Sequence, residues 1–294
     1  MKQNEVKIKN GETIKYYDIG SKNNEVLLLI HGNVSSAIFF EPVFQELSQK
    51  YRIIAPDLRG FGNSSYNNKI NDLKDFADDI KELVDFLKIK KFKLLGWSLG
   101  GNISMEFSAN YPEMVEKLIL LSSGSPKGYP VYKKDALGAP LINEIYAKKE
   151  DLALDPIQVL PMLNIFETNN VAMLEFIYGA TIFTKNKPDS NVASIWMKNA
   201  IKQKNLVDVD WALANFNITN EKGVYQDGNG KINNIKCDVL ILWGNKDITV
   251  PFNMFEETTQ AFKNAKVRVF EGCGHALIVD ERDKFISEVL EFLS

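Results

Sequence analysis

Six short runs of almost uninterrupted apolar residues, "EVLLLIHG", "RIIAPDLRG", "FKLLGWS", "KLILLSS", "DVLILWG" and "KVRVFEG", set the tightest limit on what this chain folds into. A strand with one face in water alternates apolar and polar side chains, whereas a run without alternation needs cover on both faces. Helical stretches fall between the runs, at about 40–49, 72–88, 99–110 and 281–293. The second of these is apolar at 73, 76, 80, 83, 84 and 87, a 3.6-residue period, with acids early and Lys88 at its end, as the helix dipole prefers. Strands alternating with helices predict an α/β fold, a mostly parallel doubly wound sheet between helical layers.

Ahead of these runs, "EVKIKN" and "TIKYYDIG" alternate about Asn10-Gly11, which predicts an antiparallel hairpin. Between about 125 and 235 the strand rhythm stops, and the segment reads as several helices rich in Met, Phe, Tyr and Trp. The expected organisation is therefore a core of residues 1–125 and 235–294, with 126–234 as a helical cap inserted in it. Phe166, Phe176, Tyr178, Phe183, Trp196 and Trp211 are expected mostly to fill the insertion's own interior, a minority lining a substrate tunnel.

Charge and composition exclude several function classes. The chain has 35 basic and 38 acidic residues, a net −3 without a block of one sign, so nucleic acid finds no landing surface. Arg52, Arg59, Arg268 and Arg282 are its only arginines, which leaves few bidentate forks for phosphate groups. The polar, alternating N-terminus carries no signal-peptide pattern, and no apolar run approaches the ~20 residues of a bilayer span. A cytoplasmic location without a membrane span is expected. Cys237 and Cys273 make neither a disulfide framework nor a metal spacing, and "DGNGKINNIKCD" lacks both the glycine and the bidentate glutamate of a calcium loop. No metal and no cofactor are expected.

The candidate chemistry starts at "KLLGWSLGGN", where Gly96-Trp97-Ser98-Leu99-Gly100 matches G-x-S-x-G. The motif acquires meaning from its setting, a strand ending at Gly96-Trp97 and a helix beginning after Ser98. A turn that sharp needs small flanking residues and stands the serine hydroxyl at the carboxyl edge of the sheet. A serine nucleophile needs a base, and the chain has two histidines, His31 and His275, each following a strand. The order serine, acid, histidine selects His275 as base, leaving His31 to pin its loop. Asp247, just past the strand in "DVLILWGNKDITVP", is the expected acid that orients His275, with Asp280 its rival. The oxyanion of a tetrahedral intermediate needs two donors, assigned to the backbone N–H groups of Leu99 and Asn33. Asp57 and Arg59 are expected to shape a neighbouring loop, and Cys273 to be a small turn residue.

With "LLLIHGN", "IIAPDLRGFGNS", "LLGWSLGG", "LILWGNKDITVP" and "GCGH" in that order, the sequence resembles α/β-hydrolase-fold enzymes of the cap-bearing esterase, haloperoxidase and epoxide-hydrolase-like group. The resemblance covers roughly 12–125 and 235–293. Serine at the elbow separates the chain from dehalogenases and epoxide hydrolases of that group, which use aspartate. "HGNVSS" lacks the HGGG run of some esterases, and the "GGSWG" elbow of proline iminopeptidases is absent. The expectation is a serine hydrolase acting on a small-molecule carboxylic ester through Ser98, Asp247 and His275. An acyltransferase, a peptidase or amidase, and a slow-turnover small-molecule receptor share the same residues and stay open. Nothing in the sequence indicates the oligomeric state.

Overall fold

The computed structural model describes the backbone of residues 1–294 and every side chain except that of Asn143. Ten strands are present: β1 (Asn4–Lys7), β2 (Thr13–Ile19), β3 (Val26–Ile30), β4 (Arg52–Pro56), β5 (Phe92–Trp97), β6 (Val115–Leu121), β7 (Tyr132–Lys134), β8 (Pro140–Ile145), β9 (Asp238–Gly244) and β10 (Lys266–Phe270). Eight of them form one sheet in the order β1-β2-β4-β3-β5-β6-β9-β10. The N-terminal hairpin is antiparallel and sits on one edge, and from β4 to β10 every pairing is parallel.

The uninterrupted apolar runs are explained by where they lie. Every residue of β3 and β5 is buried, and successive side chains go to opposite layers. Leu28, Ile30, Leu94 and Phe92 join the hydrophobic layer that contains the helices Leu73–Phe86 and Leu99–Asn110. Leu27, Leu29, Leu95 and Trp97 join the layer that contains Glu41–Leu47 and Arg282–Leu293. Each such Leu or Phe taken from water contributes about 2 kcal/mol before entropy. The strand β10 departs from the expectation of two covered faces: it is the open edge, and its side chains are mostly exposed or half-buried, Val269 at 37%. Its two faces are only partly covered: Phe270 packs in the layer of the last helix, and Val267 lies half-buried against the opposite layer.

Helix Leu73–Phe86 begins where expected because the Asp72 side chain accepts the N–H of Lys74. It buries Phe76, Ile80, Leu83 and Val84. Between β6 and β9 no strand joins the main sheet. The segment holds the helices Lys149–Leu152, Leu160–Glu167, Val171–Thr181, Ser190–Ala200 and Leu206–Ala214. It also holds the β7-β8 hairpin, which the all-helical reading of 126–234 missed. That hairpin turns through Gly138 at φ +84°, and its first strand is only three residues long, too short to show a period. The aromatic residues of the segment do not simply pack on each other. Trp196 stacks on Phe39 of the core turn Ala37–Phe40 at 4.7 Å, Tyr178 lies 5.8 Å from the same ring, and Phe176 is 72% exposed.

Candidate active site

The parallel strands bring their carboxyl ends to one edge, and the loops that leave β3, β5, β9 and β10 carry His31, Ser98, Asp247 and His275. Ser98 joins β5 to helix Leu99–Asn110 at φ 55°, ψ −122°, a conformation that costs a non-glycine residue about 1–3 kcal/mol. Its N–H donates to Leu121 O at 3.0 Å and its carbonyl accepts from Gly101 N at 2.8 Å, so the strain is held from both sides. A Cβ on Gly96 would run into the Gly100 backbone and Ser104 Oγ, and one on Gly100 into the carbonyls of Ile30 and His31. The two glycines therefore let β3, β5 and the helix close up around the serine.

His275 is buried, and its Nδ1 lies 2.8 Å from Asp247 Oδ2. The other carboxylate oxygen, Oδ1, accepts the N–H groups of Thr249 at 2.9 Å and Val250 at 2.8 Å. A carboxylate fixed in this way holds Nδ1 as the protonated nitrogen and leaves Nε2 as an acceptor. Asp280 does something else. Its Oδ1 takes the N–H groups of Thr184, Lys185 and Asn186, and its Oδ2 takes that of Gly274 at 2.6 Å. It thus ties the histidine loop to residues 184–186, and Asp247 is the acid that reaches His275. The indole of Trp97 donates to His275 O at 3.0 Å, a support that no sequence pattern announces.

His31 sits fully buried, accepting Leu58 N on Nε2 at 3.0 Å while Nδ1 donates to Gly32 O at 2.8 Å. Burial holds its pKa below the ordinary imidazole value, so it is neutral and joins the β3 loop to the β4 loop. Asp57 accepts from Gln3, Ala37 N and Asn63 N, and Arg59 makes a bidentate pair with Asp79. Both are loop-shaping residues. Cys273 is buried and its thiol is pushed up to about 11, by burial first and then by Asp280. Cys237 precedes β9 while Cys273 follows the parallel strand β10, so they lie toward opposite ends of the strands, and both are free.

Ser98 and His275 open on one cavity of about 490 Å³. Gly32, Asn33 and Leu99 line its floor, and Val131, Ile157, Met162, Tyr178 and Leu206 enclose it from the 126–234 segment. Neither Asn33 N–H nor Leu99 N–H donates to another group among the described residues. Both remain available to a ligand oxygen. Among the described residues lining the cavity none is lysine or arginine, and the carboxyl of Asp210 faces it. Asn33 Nδ2 donates to Asp210 Oδ1 at 2.9 Å, and Gln203 Nε2 donates to Asn33 Oδ1 at 2.8 Å. Val34, at φ 51°, donates its N–H to Gln203 Oε1 at 2.9 Å, and its carbonyl accepts from Tyr178 OH. Burial pushes the Asp210 carboxyl up to about 7, against the bond from Asn33. The available signal for Asp210 is its spacing: it falls four residues after Leu206 and three before Leu213, an acid on the apolar face of its helix.

Residues 25–282 match the family model described as alpha/beta hydrolase fold. A 2-hydroxy-6-oxononadienedioate/2-hydroxy-6-oxononatrienedioate hydrolase from Paraburkholderia phymatum is 27% identical over 289 residues, 95% of this chain and 90% of the relative. Among solved structures, an esterase from Exiguobacterium antarcticum superposes with a TM-score of 0.74 at 23% identity, covering 99% of each chain. The enol-lactonase from Burkholderia xenovorans LB400 gives 0.72 at 18% identity, again over 99% of both. Among the described residues no helix is long and apolar enough to cross a membrane.

Proposed function

Because the chain belongs to the alpha/beta hydrolase fold family, we propose that it is a serine hydrolase that cleaves a carboxylic ester through an acyl-enzyme on Ser98. The observation that carries this reading is the pairing of His275 with Asp247 at 2.8 Å on the wall of the cavity into which the strained Ser98 turn opens. In this reading His275 Nε2 takes the hydroxyl proton as Ser98 Oγ bonds to the ester carbon. The carbonyl oxygen becomes an oxyanion, held by the N–H groups of Asn33 and Leu99. As the tetrahedral centre collapses, the C–O bond to the alcohol breaks and His275 returns the proton to the leaving oxygen. Water, deprotonated by the same histidine, then releases the acid and frees Ser98. Asp247 keeps the imidazole oriented and stabilises its charged form. No cofactor enters this scheme.

Residues 126–234 are proposed to act as a cap, a role supported by their share of the cavity wall. The similar proteins are named for different substrates. The hydrolase from Paraburkholderia phymatum is named for a dicarboxylate. A cavity with an aspartate and no lysine or arginine on its described wall offers a dianion no counter-charge. That favours an ester without carboxylates over such a diacid. A p-nitrophenyl ester series from acetate to palmitate, with Ser98→Ala protein as the blank, tests the reading. Serine-dependent turnover supports it, and its best chain length sizes the acyl pocket. Equal rates with and without the serine hydroxyl would overturn it.

A further inference from the structure

The mechanism above leaves one carboxyl of the cavity without work. Asp210 lines the same cavity as Ser98 and His275, on helix Leu206–Ala214. Its Oδ1 takes the bond from Asn33, and no other protein donor among the described residues reaches the carboxyl. Two lysines of the same segment are engaged elsewhere: Lys134 donates to Tyr132 O, Asp155 Oδ2 and Gln158 Oε1, and Lys149 donates to Asp208 Oδ1. Tyr129, also on the wall, donates its hydroxyl to Thr249 O at 2.6 Å. The remaining carboxyl oxygen is thus an acceptor whose partner the protein does not supply.

An acid in a mostly apolar cavity is costly unless something pairs with it. A carboxyl kept for packing would have its oxygens bonded, as both oxygens of Asp247 and of Asp280 are. We propose that Asp210 is a specificity-determining residue that pairs with a positively charged nitrogen on the substrate, so that the preferred substrates are amine-bearing esters. The inference rests on the ester-hydrolase reading for its reaction, though not for its ligand chemistry. Asp210 is bonded to the side chain of the residue whose N–H faces the oxyanion, which puts the cation within a short spacer of the scissile carbonyl. The raised carboxyl fits this role. Burial holds it protonated to about pH 7, and an arriving cation draws the proton off it. Binding therefore releases a proton near neutral pH.

Two matched series test the proposal, one for each side of the ester. On the acyl side they are p-nitrophenyl 6-aminohexanoate, heptanoate and the adipate monoester, which place an ammonium, a methyl and a carboxylate at one distance. On the alcohol side they are acetylcholine and its uncharged isostere 3,3-dimethylbutyl acetate. A charge-assisted contact of this kind is worth roughly 10- to 100-fold. Wild-type kcat/KM is expected to favour the cationic member over the neutral one by that factor in one series, which also identifies the side. The adipate monoester is expected to be the poorest. In Asp210→Asn the ratio of cationic to neutral ester is expected to fall to about one, with thermal melting showing the variant folded.

A ratio near one in both series for wild type, or an unchanged ratio in the variant, would overturn the proposal while leaving ester hydrolysis in place. If no ester is turned over in a serine-dependent way, the hydrolase reading fails. Calorimetric binding of hexylammonium to wild type and Asp210→Asn then decides the role of Asp210. Binding lost in the variant supports it, and equal binding overturns it.

Discussion

Replacing Asp210 by Asn is expected to stabilise the protein at pH 8 and to do little at pH 4. The carboxyl is pushed from 3.8 to about 7, by burial first, with Asp155 adding in the same direction and Asn33 opposing. The folded state therefore holds the proton that the unfolded chain gives up. Below about pH 4 both states are protonated and the acid costs nothing extra. As pH rises from about 4 to about 7 the unfolded chain ionises first, stability falls, and above about 7 the loss is complete. At 1.36 kcal/mol per unit, the full shift corresponds to roughly 4 kcal/mol. Water reaching the carboxyl through the cavity screens part of it, so a gain of about 2 kcal/mol is expected for the variant at pH 8. Asn keeps the shape and an acceptor for Asn33 Nδ2, so the comparison isolates the charge. Urea denaturation of both proteins at 25 °C at pH 4, 6 and 8, followed by circular dichroism, gives the difference directly. A difference that does not change with pH would show that Asp210 is equally ionised in both states, and the reasoning from burial would be wrong.

Three further outcomes follow from contacts already described. Asp247→Asn exchanges an acceptor for a donor beside His275 Nδ1 and is expected to lower kcat about 10⁴-fold with little change in KM, read from steady-state ester kinetics. Arg59→Met strands Asp79, a carboxyl already pushed up to about 6 by burial, and is expected to cost about 3–5 kcal/mol in urea melts. Gly100→Ala drives a methyl group into the carbonyls of Ile30 and His31. It is expected to cost about 1–3 kcal/mol and to lower serine-dependent turnover together with stability.

What the sequence made legible was whatever is encoded locally. The runs of β3 to β6 and of β9 announce their burial because both layers of the core draw on each strand. The meeting of Asp247 with His275 could be read because each closely follows a parallel strand, and parallel strands end at one edge. The hairpin β7-β8 was not legible, since the strand Tyr132–Lys134 is three residues with none fully buried and no period to detect. Nor was the network around Asn33, because its partners Asp210 and Gln203 stand 177 and 170 residues away and are brought there by packing alone. The edge position of β10 was hidden for the opposite reason. Its apolar residues suit a covered strand, and only the absence of a further strand exposes Val269.

The bonds of Asn33 to Asp210 and of Val34 N to Gln203, that of Tyr178 to Val34 O, and the stacking of Trp196 on Phe39 bear on how this molecule can be taken apart and recombined. A chimera spliced at the ends of the 126–234 segment would inherit a foreign roof over a floor shaped for the original one. Val34 would keep its left-handed backbone with no hydroxyl on its carbonyl, and Asn33 would point its amide at nothing. The functional unit of exchange is therefore discontinuous. It comprises the segment together with residues 32–40, and substrate range in such hybrids is inherited from both pieces or from neither.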